Sequence, residues 1–167
     1  MGLDMYLRAE RYLSAFDEKD KEIIDGINSH LNLRNDLQPL DSAGTRVQQI
    51  IFKIGYWRKA NAIHQYFVKE FADGIDECQP IKVSRGDLEK LRDLCRAVLV
   101  ATNDGKNPIV GSAVLPTCEG FFFGDTEYNQ GYIQDIKDTI DIIENALADP
   151  LFQTKEWQTQ FIYQASW

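Results

Sequence analysis

Residues 55–64 place Tyr56, Trp57, Arg58, Lys59, Asn61 and His64 within ten positions, so two aromatic side chains, two cations, an amide and an imidazole lie close along the chain. Helical spacing predicts a helix that begins near Tyr56, on which Trp57, Asn61, His64 and Val68 share one stripe. Ala60, Ile63, Phe67 and Phe71 mark its buried face. Arg58 and Lys59 would then occupy the first turn, where the positive end of the helix dipole disfavours cations. A carboxylate elsewhere in the fold or a bound anion is expected to offset them. Free amides in a first turn after Gly55 would add donors for a phosphate or carboxylate. An indole beside such donors suits a nucleobase or another planar ligand. The competing reading puts Trp57 in the core, gives His64 an internal hydrogen bond and pairs Arg58 and Lys59 with the acids at 135–149.

The second unusual stretch is "LPTCEGFFFGDTEYNQGY" (115–132), where Gly120 and Gly124 bracket three phenylalanines. One reading is a buried strand with glycine at each end. The other makes Gly124, Asp125 and Thr126 a rim opposite the Trp57–His64 stripe, with Tyr128 or Glu127 reaching the ligand. The spacing matches neither a Walker loop nor a dinucleotide fingerprint. A serine triad lacks its G-x-S-x-G elbow. His30 and His64 share no ligand spacing with each other or with Cys78, Cys95 and Cys118, so neither a metal nor another cofactor is expected. Cys118 is the best nucleophile on offer, with nothing nearby in sequence to lower its pKa. His64 would act as acid or base with Asp125 or Glu127 only if the fold brings them together.

These residues need a scaffold, and 167 residues with 44% hydrophobic and 26% charged side chains suit one globular domain spanning residues 1–167. The net charge of −8 argues against direct nucleic-acid binding. It hides an asymmetry. Between positions 44 and 70, Arg46, Lys53, Arg58, Lys59 and Lys69 stand against Glu70 alone, whereas between 125 and 149 seven acids stand against Lys137. One part of the surface could attract a small anion while the rest repels polyanions. No apolar run approaches the roughly 20 residues of a membrane span, and the first residues lack the charged and apolar regions of a secretion signal. A cytoplasmic protein without a membrane partner, its cysteines free, is the expectation.

Period-2 alternation predicts strands at 3–9 and 157–165, and "VQQIIFKIG" (47–55) reads as a buried strand. Asp17 opens an acidic helix, and Ser84 with Asp87 marks the start of another, striped by Leu88, Leu91, Leu94, Cys95 and Leu99. Residues 129–148 form an amphipathic helix with Tyr132, Ile133, Ile136, Ile140, Ile143 and Leu147 inward. Residues 32–46 read as a long loop. The fold class expected is α+β, with helices packed on a small antiparallel sheet.

"GLDMYL", "GYWRKANAIHQYFV", "DECQPIKVSRGDLEKLRDLC", "LPTCEGFFFGDTEY" and "YQASW" follow one another along nearly the whole chain. In these phrases the sequence resembles a family of small, mostly uncharacterised proteins encoded by phages and prophages. The resemblance implies an accessory protein acting in the host cytoplasm and supplies no reaction. Such proteins commonly act by binding. The leading expectation is therefore a binding protein for a small anionic, nucleotide-like ligand, for instance a host defence signal, held by Tyr56, Trp57, Arg58, Lys59, Asn61, His64, Gly124, Asp125, Thr126 and Tyr128. The alternatives are an acidic inhibitor of a host protein that binds nucleic acid, and a His64-dependent hydrolase or transferase. Self-association is left open.

Overall fold

In the computed structural model, which describes residues 2–31, 47–153 and 157–167, the alternation that begins at Leu3 becomes strand β1 (Asp4–Tyr12). Leu3, Met5, Leu7 and Ala9 are fully buried on one face of it. The other strands are β2 (Gln49–Arg58), β3 (Ile81–Val83) and β4 (Thr159–Ser166), in the order β2-β1-β4-β3 with every pair antiparallel. Four α-helices join them among the described residues: α1 (Glu18–His30), α2 (Asn61–Phe71), α3 (Arg85–Ala101) and α4 (Gln130–Ala148). Short 3-10 turns occupy Pro108–Ala113 and Pro150–Phe152. The buried faces of α2, α3 and α4 meet the inward side chains of the sheet in one core, which is the α+β arrangement expected.

Local chemistry accounts for the helix ends. The Asp17 carboxylate accepts from the amides of Lys19 and Asp20 and starts α1. Ser84 and Asp87 form a reciprocal capping box on α3. Asn129 caps α4 through the amides of Gly131 and Tyr132.

The structure corrects the sequence reading at three places. First, β2 runs on through Tyr56, Trp57 and Arg58, and α2 starts only at Asn61. Tyr56 pairs with Tyr6, Trp57 with Met5 and Arg58 with Asp4, so ladder hydrogen bonds to β1 claim residues whose spacing suits a helix. Arg58 and Lys59 therefore do not sit in a helical first turn. Second, β2 is an edge strand with alternating exposure instead of a buried one, and a bulge at Ile54 shifts its phase. Lys53 pairs with Arg8 on the outer face, whereas Gly55 pairs with Leu7 on the inner face. Third, residues 114–128 form no strand, and the three-residue β3 was not foreseen. The loop expected at 32–46, with Arg46, lies outside the described residues.

Gly55 sets how closely α4 approaches the sheet, because a Cβ there would lie 2.6 Å from Ile142 Cγ2. Gly55→Val should cost about 1–3 kcal/mol in urea unfolding, as overpacked cores do. An unchanged midpoint would mean that α4 is free to move away.

Candidate ligand site

The turn from β2 into α2 is held by backbone. The Lys59 amide donates to the Leu3 carbonyl (2.8 Å), the Leu3 amide to the Phe122 carbonyl (2.9 Å) and the Asn61 amide to the Lys59 carbonyl (2.8 Å). The start of β1, the cation pair and the phenylalanine loop are thereby locked together. Lys59 adopts φ 63°, the left-handed region, which costs a side-chain-bearing residue roughly 1–2 kcal/mol. Ala60 offers α2 no side-chain cap, so the start of the helix is uncapped where Asn61 and Ala62 line a cleft.

That cleft encloses about 300 Å³ and gathers Arg58, Lys59, Asn61, Gly124, Asp125 and Asp135 around it. Asn61 Nδ2 donates to the carbonyls of Asp125 (2.8 Å) and Phe123 (3.2 Å), fixing the loop against the start of α2. Gly124, at φ 88°, is where the loop turns, and the stem of Lys59 lies across it. Asp125 accepts from the Glu127 amide (3.1 Å), an Asx turn that holds its carboxylate in place. Neither Arg58 nor Lys59 forms an ion pair with any described residue, so the acids at 135–149 do not neutralise them. Asp135 has its pKa pushed up to about 7, first by burial and then by the charges of Asp138 and Asp125.

A second cavity of about 490 Å³ lies beyond the Asn61 tie, lined by His64, Gln65, Cys118, the Phe121–Phe123 loop and Trp167. His64 Nδ1 is 2.7 Å from the Tyr163 hydroxyl and Nε2 is 2.9 Å from Asp76 Oδ2, which also accepts from Trp167 Nε1 (3.0 Å). Both ring nitrogens are engaged, which fixes the His64 ring in the cavity wall. It does not meet Asp125 or Glu127. The Cys118 thiol donates to the Asn61 carbonyl (3.3 Å), and burial, then the charge of Asp76, raises its pKa to about 11. A thiol held neutral is a poor nucleophile. No cluster among the described residues could hold a metal ion.

Of the residues singled out by sequence, Arg58, Lys59, Asn61, Gly124 and Asp125 come together in the cleft, and His64 enters the neighbouring cavity. Trp57 is a correction: it is 3% exposed, and its Nε1 donates to the buried Thr139 hydroxyl (2.9 Å), so it belongs to the core. Tyr56 lies on the outer face of the sheet, where its hydroxyl donates to Asp4 and Lys53 sits 4.7 Å over its ring. Thr126 contributes a carbonyl to Thr117 Oγ1 (3.0 Å), and the Tyr128 hydroxyl accepts from the Thr117 amide (3.0 Å); both brace the loop from behind. Sequence reasoning missed Asp135. Its signal was available, because Tyr132, Asp135 and Thr139 recur at helical spacing on the edge of the apolar stripe of α4.

No helix among the described residues is long and apolar enough to cross a membrane. Comparison of the chain with protein-family models, with curated proteins and with solved structures finds no match, so the site is read from its own residues.

Proposed function

We propose that this chain is a phage accessory protein that binds a small anionic, nucleotide-like molecule, with Arg58 and Lys59 as the anion-holding pair, and that binding serves to sequester a signal in the host cell. The phage assignment rests on the sequence phrases alone. The observation that carries the binding reading is two cations without ion-pair partners among the described residues, one of them in a costly backbone conformation, converging on a polar cleft beside a helix start that lacks a side-chain cap. Asp125, Glu127 and Asp135 line the same cleft and oppose this attraction. Asp125 is held in its turn, and burial raises the pKa of Asp135 to about 7, which favours the neutral acid, a donor for an anion oxygen.

Two features weigh against the alternatives. An acidic mimic needs a free acidic face, and on α4 Glu144 is paired with Arg96 (2.5 Å), which leaves Asp138 and Asp141 as the exposed acids of that face. The His-dependent reading needs Asp125 or Glu127 beside the imidazole, and His64 is bonded to Tyr163 and Asp76 instead.

The direct test is a thermal-shift series with inorganic pyrophosphate, AMP and GMP. Arg58→Ala with Lys59→Ala should leave the ligand-free melting temperature unchanged or raised, because neither cation has an ion-pair partner among the described residues. The same double variant should abolish the shift caused by the anions. A ligand-free loss on the order of 3–5 kcal/mol would instead identify the pair as members of a structural ion network.

A further inference from the structure

The 490 Å³ cavity is not used by the anion-holding pair, and its chemistry differs from that of the cleft. Its walls are aromatic: Phe123 meets the edge of His64 with ring centroids 4.9 Å apart and Trp167 at 6.1 Å, while Phe121 and Phe122 pack edge to face at 4.8 Å. Flat walls of this kind favour a flat occupant. Two further features point to an occupant. Gln65, on the wall, has its Oε1 buried without a donor among the described residues, an unsatisfied acceptor that ordinarily costs stability. Phe121 stands at the rim with 95% of its surface exposed, in a loop whose Gly120 allows the Phe123 ring within 2.4 Å of where a Cβ would be.

Resting on the reading that Arg58 and Lys59 hold the anion, we infer that this cavity is the seat of the ligand's ring, a purine-type heteroaromatic base with an N–H donor. Terminal amide torsions of glutamine are soft, so Gln65 can turn its acceptor to that N–H. Phe121 covers the exposed face of the ring, which removes its own apolar surface from water as the ligand binds. Cavity and cleft adjoin at Thr117–Cys118 and Phe123–Gly124, segments that Asn61 ties together: its Nδ2 holds the carbonyls of Phe123 and Asp125, and its own carbonyl receives the Cys118 thiol. One molecule with a flat base and an anionic tail would occupy both by passing over the outer rim of that boundary.

Two variants separate base from anion. Phe121→Ala removes an exposed side chain and should not disturb the fold. Gln65→Leu removes the orphaned acceptor, so its melting temperature should match or exceed that of the parent. In calorimetric titrations each should weaken AMP or GMP by about tenfold while leaving inorganic pyrophosphate unaffected. If both variants bind AMP and GMP like the parent while the Arg58→Ala, Lys59→Ala protein binds neither, the base does not occupy this cavity and the anion reading stands. If adenosine and AMP depend on Phe121 but not on Arg58 and Lys59, the ring site stands and the anion reading falls. Failure of AMP, GMP and adenosine all to bind overturns the ring site.

Discussion

Asp135→Asn is expected to make the protein more stable at pH 8 by about 2–3 kcal/mol and to leave its stability at pH 4 unchanged. The folded-state pKa of about 7 lies above the ordinary aspartate value of 3.8, so the fold holds the proton more tightly than the unfolded chain does. Stability from this group is therefore fully present below about pH 4 and is lost as pH rises through about 7. A shift of this size corresponds to roughly 1.4 kcal/mol per pH unit, reduced for the solvent that still reaches the carboxylate from the cleft. Asparagine has the same shape and no charge to bury. Urea unfolding of both proteins between pH 4 and 8 measures the effect, and parallel curves would show that Asp135 is solvated like a surface acid.

The same proton should govern the cleft. Ionised Asp135 faces Asp125 and Glu127 from the loop, Asp138 one turn along α4, and Arg58 and Lys59 from the end of β2. Inorganic sulfate keeps a constant charge through this range, so any weakening of its binding as pH rises through 7 reports the protein. Asp135→Asn should flatten that dependence. A carboxylate kept at the expense of stability is what a binding site requires and a structural position does not.

Arg11→Ala should have the largest effect on folding, a loss of about 3–5 kcal/mol in urea unfolding, because it strands a buried carboxylate. Asp20 is 1% exposed, in the first turn of α1, and accepts from Arg11 Nη2 (2.6 Å), the Ser14 amide (3.0 Å) and Gln158 Nε2 (3.4 Å). One carboxylate thus joins the end of β1, the approach to α1 and the entry to β4. Replacing Asp20 and Arg11 together by Asn and Met should restore part of the loss, since neither then leaves a buried charge unpaired. An Arg11→Ala loss below about 1 kcal/mol would show that water reaches the pair and screens it.

How much of this was legible follows from where the determining interactions lie. The caps at Asp17 and Ser84, the stripes of α3 and α4 and the inward face of β1 depend on neighbours within a few residues, and the sequence displays them. The course of Tyr56, Trp57 and Arg58 depends on Asp4, Met5 and Tyr6, some fifty residues away, and on a bulge at Ile54 that no local pattern marks. Helical spacing from Ala60 to Phe71 was real, but it was extended one turn too far toward the N-terminus. That shift moved Trp57 from the core into the site and placed Arg58 and Lys59 on a helix they precede. Arg58 and Lys59 nevertheless meet Gly124 and Asp125 in one cleft, brought there by the turn between β2 and α2 instead of by a helical stripe. Asp135 shows locally only as a carboxylate on the edge of the apolar stripe of α4; its burial and the neighbouring charge of Asp125 depend on how the chain folds back on that helix.

The measurement closest to the central claim is a calorimetric titration of AMP into the parent protein and into the Arg58→Ala, Lys59→Ala double variant at pH 7 and low salt. Saturable binding by the parent, weakening as salt screens the pair, and no detectable heat of binding from a double variant of unchanged stability is the expected result. Equal binding by the two proteins, or none by the parent with AMP, GMP or pyrophosphate, would contradict the account.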